Sequence, residues 1–139
     1  MSRLIIGVFL MGSLVIVAGC ATLGKGPSDE ELIATLLADW KAAFDAQDLD
    51  KMMAVYSEDY EGGRSEDKDQ LREFLEGAFD QGYLDDAEVD IAEAETTIEG
   101  DTATVAPITL SGPPGSMDLQ FDLKKEADKV WRIVSSDRY

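Results

Sequence analysis

The chain has 139 residues, with 29 Asp and Glu against 12 Lys and Arg, no histidine, and a formal charge of −17 at pH 7. Such a surface repels phosphate backbones and argues against nucleic acid as a partner; it also repels anionic head groups, so any membrane attachment has to be carried by lipid. With a single cysteine and neither histidine nor asparagine, no Ser-His-Asp or Cys-His-Asn hydrolase can be assembled, and zinc sites of the His or Cys kinds are excluded. Any chemistry falls to Asp, Glu, Tyr, Ser, Lys or Arg, and no cofactor is implied.

Arg3 gives the chain a positive start, and Leu4 to Ala18 is apolar apart from Gly7, Gly12 and Ser13. A spanning helix needs about 20 apolar residues and a charged far flank. This run is shorter and passes into Ala21-Thr22-Leu23-Gly24. Val17-Ala18-Gly19-Cys20 closes it and resembles the lipobox of bacterial lipoproteins. The resemblance implies cleavage before Cys20 and a diacylglycerol on its thiol, which leaves no cysteine for a disulfide or a nucleophile. The expected division is a lipoprotein signal peptide over 1–19, a lipidated tether over 20–27, and one domain over 28–139. Ala21, where an aspartate would mark inner-membrane retention, resembles the outer-membrane class. The expected location is therefore the cell envelope, on the periplasmic side of the outer membrane in a host with two membranes. A flexible tether of this length holds the domain within roughly 15 Å of the bilayer.

Ser28 and Glu31 form a Ser-x-x-Glu capping box after Pro27, which opens a first helix. Its buried face is Ile33, Leu36, Leu37, Trp40, Ala43 and Phe44. Asp48 caps a short second helix through Met52, Met53 and Tyr56. Gly62-Gly63 then breaks the chain before a third helix, with Asp67 and Gln70 as cap and third residue. Leu71, Phe74, Leu75, Ala78 and Phe79 make its apolar face, and Gly82 stops it.

From Glu88 the period changes to two. Met117, Leu119, Phe121 and Leu123 alternate with Asp118, Gln120, Asp122 and Lys124, a half-buried strand. Turn residues at Glu99-Gly100-Asp101, Ser111 to Ser116 and Ala127-Asp128 delimit expected strands near 88–98, 102–110, 117–125 and 130–136. Val89 and Ile91 share a parity that Ala94, Thr96 and Ile98 do not, and Pro107 interrupts the next strand. Bulges at both places predict a strongly curved sheet. The expected fold is α+β: a cone-shaped, strongly curved antiparallel sheet with about three N-terminal helices on its concave face. The polar row from Asp118 to Lys124 makes a poor apolar interface, which predicts a monomer or a weak dimer.

Trp40-Lys41-Ala42-Ala43-Phe44 leading into Asp48-Leu49-Asp50, then Val55 to Tyr60, and the closing Val130-Trp131-Arg132-Ile133-Val134 resemble the nuclear transport factor 2-like superfamily. That superfamily includes SnoaL-like polyketide cyclases, ketosteroid isomerases and scytalone dehydratase. The resemblance spans most of 28–137 and implies a cone of bent sheet around a pocket, in enzymes and non-enzymes alike. Carried over residue by residue, the isomerase tyrosine falls on Trp40, whose N–H is far less acidic than a phenol. The isomerase base falls at or near Arg64, which cannot accept a proton; Glu61 lies nearby, out of register.

Trp40, Phe44, Tyr56, Tyr60 and Trp131 are candidates to line a pocket for a small apolar or amphipathic ligand, or else to fill the core. Asp45, Asp48 and Asp50 lack the glycine and the bidentate glutamate of a calcium loop. Glu58-Asp59 and Asp85-Asp86 read as solvated loops. Three functions follow as expectations. The first is a lipid-anchored, non-catalytic envelope accessory protein. The second is a SnoaL-like isomerase, cyclase or dehydratase using Asp, Glu or Tyr for acid–base work. The third is an assembly lipoprotein that meets a basic envelope partner through its acidic surface.

Overall fold

A computed structural model describes residues 26–64 and 66–139. Cys20 and the leader lie outside the described residues. Helix α1 (Asp29–Asp45) starts at the expected capping box: the Glu31 N–H donates to Ser28 Oγ at 3.2 Å, and the Ser28 N–H donates back to the Glu31 carboxylate at 2.8 Å. Asp48 caps α2 (Leu49–Ala54), and Asp67 with Gln70 repeats the reciprocal cap on α3 (Lys68–Asp80). Gly82 ends α3 at φ +71°, with its N–H on Phe79 and that of Tyr83 on Ala78, a turn that disfavours a side chain. Among the described residues no helix is long and apolar enough to cross a membrane.

The sheet holds β1 (Glu88–Asp90), β2 (Glu95–Glu99), β3 (Thr102–Gly112), β4 (Gly115–Lys125) and β5 (Trp131–Arg138), all antiparallel. Its order is β1-β3-β4-β5, with β2 also on the outer side of β3. The strand expected over 88–98 is thus two strands. The parity switch after Ile91 is a turn, closed by the Ala94 N–H on the Ile91 carbonyl, rather than a bulge. Pro107 does mark a bulge, since the β3–β4 register shifts between Val105 and Ile108, and β5 slips once more opposite Asp122 and Leu123. These irregularities cross neighbouring strands at nearby levels, where bulged strands bend. The sheet curls around the helices there.

Beyond β5 the chain covers its own edge. The N–H groups of Ser57, Glu61 and Gly63 donate to Ile133, Val134 and Ser136, and Ile133 returns a bond to Val55. The core lies between α1 and the concave face, with Ile33, Met52, Val105, Ile108, Phe121, Leu123 and Ile133 fully enclosed. Two expected core positions are not in it. Phe74, on the apolar period of α3, is 67% exposed, and Met117, at the outer end of β4, is 41% exposed. Helical period defines a stripe wider than the contact the sheet offers, so a residue at the stripe's border can stay in solvent.

Candidate functional site

The five aromatic candidates come together in the cone as core side chains, each 3 or 4% exposed. Trp40 stands edge-on to Phe121 at 5.0 Å between ring centres and lies beside Phe44 at 5.7 Å. Its indole N–H donates to the Tyr56 hydroxyl at 3.0 Å. Burial pushes that hydroxyl above the ordinary tyrosine range, and the bond from Trp40 opposes the shift only in part. Tyr56 meets Tyr60 edge-on at 5.2 Å. Trp131 sits at the far side, its indole N–H on the Asp29 carboxylate at 2.9 Å, beside a Lys125 ammonium bonded to the same oxygen at 2.8 Å. These two partners hold Asp29 below the usual carboxylate range. Every polar tip in the set is therefore held by the protein itself.

Tyr60 has the most varied surroundings. Its hydroxyl shares a hydrogen bond with Ser136 Oγ at 2.5 Å, beside the Gly62-Gly63 loop. A Cβ on Gly62 would stand 2.7 Å from both the Tyr60 hydroxyl and the Glu66 carboxylate; one on Gly63 would stand 1.8 Å from Asp137 Oδ1. The glycines let a phenol and two carboxylates gather against bare backbone. Burial raises the Tyr60 pKa, opposed by Ser136 and reinforced by Glu66 and Asp137. At neutral pH this phenol keeps its proton. Glu61 is exposed and spends its N–H on β5, while Arg64 is exposed with its N–H on Glu66.

A second polar network was not legible in the sequence. Ser57, fully buried, donates to Glu126 Oε2 at 2.9 Å, and Glu126 Oε1 accepts from Arg132, which also pairs with Asp128. Ser57 and Glu126 are 69 residues apart, so no local motif announces them. Lys68 reaches from α3 to the Tyr56 carbonyl and to Glu58. The three aspartates near the first turn serve separately: Asp45 pairs with Lys41, Asp48 caps α2 and pairs with Lys51, and Asp50 pairs with Arg72. Asp85 accepts from Gln47, across from the end of α1. Among the described residues no three Asp or Glu side chains converge as metal ligands would.

Two surface hollows lie away from the Tyr60 and Ser57 networks. One of about 340 Å³ is lined by Ala42, Ala43, Ala46, Ala54 and Val55 between α1 and α2. It adjoins one of about 240 Å³ lined by Leu32, Leu36, Val55, Val130 and Trp131. Of the five aromatic candidates only Trp131 borders either one.

No protein-family profile matches the chain, and no curated protein does. Solved structures do. A protein of unknown function with a cystatin-like fold from Nostoc punctiforme superposes with a TM-score of 0.62 at 17% identity, over 82% of this chain and 93% of that one. An NTF2-like protein of unknown function from Shewanella oneidensis gives 0.62 at 17% identity, over 80% and 98%. An NTF2-like protein with a cystatin-like fold from Novosphingobium aromaticivorans gives 0.58 at 18%, over 79% and 80%. The domain has the nuclear transport factor 2-like fold.

Proposed function

We propose that this nuclear transport factor 2-like domain is a lipid-anchored accessory protein of the bacterial cell envelope that binds through its outer surface and performs no chemistry in its cone. The carrying observation is the interior. Trp40, Phe44, Tyr56 and Phe121 pack on one another, and the donors of Trp40 and Trp131 end on Tyr56 and Asp29. A ligand-binding cone instead presents unpaired polar tips to an open space. The anchor rests on the leader and Cys20. Intact mass of protein extracted from membranes tests it: loss of 1–19 and a diacylglycerol thioether are expected, and both vanish in Cys20→Ser. An unmodified Cys20 in membrane-extracted protein overturns the anchor.

One arrangement favours the enzymatic reading, the Tyr60 phenol with Ser136, Glu66 and Asp137 around Gly62 and Gly63. General acid–base work by Tyr, Asp or Glu would need a phenol and carboxylates gathered in this way. Tyr60→Phe decides between the two. Turnover of any isomerisable or dehydratable substrate that falls about 100-fold or more in this variant would establish catalysis. Equal rates in both proteins leave Tyr60 a structural residue.

A further inference from the structure

The two long sides of the sheet end differently, and the β2 side is open. Gly100-Asp101 is a two-residue turn, so Glu99 and Thr102 form a hydrogen-bonded pair, as do Thr97 with Thr104 and Glu95 with Ala106. Thr96 and Ile98 consequently turn their N–H and C=O groups away from β3. Among the described residues no strand pairs with that outer side. Glu95, Thr96, Thr97 and Glu99 are exposed, while Ile98 rests its side chain on the core. A row of unpaired backbone groups of this kind is a template for one more strand.

Charge selects what can add there. Between Arg72 and Lys124 the chain has thirteen Asp and Glu and not one Lys or Arg. All the ion pairs among the described residues fall outside this stretch. Asp90, Glu93, Glu95, Glu99 and Asp101 follow the open edge and are exposed. A second copy of the chain meets the same acids on itself, so like charges oppose self-pairing. An extended segment carrying Lys or Arg meets their complement.

We propose that the outer edge of β2 accepts a basic, extended segment of an envelope protein as an added β-strand, with Thr96 and Ile98 making the backbone bonds and Glu95 and Glu99 meeting its cations. This names the partner chemistry of the surface-binding reading and rests on it. Backbone pairing supplies attraction, and alternate side chains supply selectivity.

The test uses the protein purified from membranes in detergent and the peptide Lys-Val-Lys-Val-Lys-Val-Lys-amide with tetramethylrhodamine on its N-terminus, followed by fluorescence anisotropy. A control peptide of the same sequence is methylated at every peptide nitrogen, which keeps the charge and removes every backbone donor. The unmethylated peptide is expected to bind at least about tenfold more tightly. Thr96→Pro removes an outward N–H without changing the charge, and should weaken binding by a similar factor. The pair Glu95→Lys and Glu99→Lys should abolish it. Equal affinity for the two peptides overturns strand addition and leaves charge attraction alone, a result that needs no variant to fold. No binding of either peptide also overturns it. The mass of Cys20 in the same preparation reports the anchoring separately, so failure of the anchor and failure of the edge are distinguishable.

Discussion

Along β5 the sheet ends against its own chain, in the Val55–Gly63 segment, with Arg132 and Lys68 close by to neutralise Glu126, Asp128 and Glu58. Along β2 it ends in solvent, among the acids of a stretch between Arg72 and Lys124 that holds no Lys or Arg. One edge is finished by hydrogen bonds and ion pairs, the other by repulsion. Both prevent uncontrolled strand pairing, but only the second can be switched off by a partner of opposite charge. The comparison separates what holds this domain together from what it can offer to another molecule.

The closed side should break hardest. Trp40→Ala removes the ring that packs on Phe44 and Phe121 and the donor to Tyr56, and should cost about 3–5 kcal/mol in urea unfolding. Next comes the buried network behind β5. Glu126→Ala leaves the Ser57 hydroxyl without an acceptor and takes one carboxylate from Arg132, an expected loss of about 1–3 kcal/mol by the same measurement. A Glu126→Gln variant, which keeps an acceptor, should recover part of it.

Titration gives a smaller effect of known sign. Asp29, Asp48, Glu58 and Asp128 are held below the usual carboxylate range, each first of all by a hydrogen bond from Lys125, Lys51, Lys68 and Arg132 respectively. Their unfolded counterparts titrate near pH ~4. The stabilisation is whole at neutral pH and is lost as the pH falls through the lowered folded values. At the other end burial raises Tyr56, so its contribution is whole below about pH 10 and is lost as the pH rises through the folded value. Urea midpoints across the pH range should show a shallower acid limb in Asp29→Asn and a shallower alkaline limb in Tyr56→Phe.

The open edge should scarcely respond. Glu95→Gln and Glu99→Gln should shift stability by no more than about 0.5 kcal/mol, and any gain should fade as salt is added, because screening already relieves the repulsion. A larger loss in either variant would mean that these acids have structural partners, and the contrast between the edges would fail.

Local structure was legible wherever one short stretch carries the cause. Ser28 with Glu31, Asp67 with Gln70, and Gly82 announced helix ends because cap chemistry acts over three residues. The parity switch between Ile91 and Ala94 was equally visible, yet a bulge and a chain reversal produce the same switch. Only the pairing of both halves with β3 tells them apart. The aromatic set was legible as a cluster, but side-chain type does not say whether rings enclose space or fill it. Tyr60 with Ser136 and Ser57 with Glu126 join residues 76 and 69 positions apart, which the curvature of the sheet and the parallel run beside β5 bring together. The cation-free stretch needed only a longer window than a motif search uses.

Asp29 stands at the first turn of α1, three residues after the first described one, and grips Lys125 of β4 and Trp131 of β5 with one carboxylate. A pull on the chain from its N-terminal side therefore reaches two strands of the sheet before it can unwind a helical turn. The first residue of α1 is thereby tied to the last two strands of the sheet as well as to its own helix.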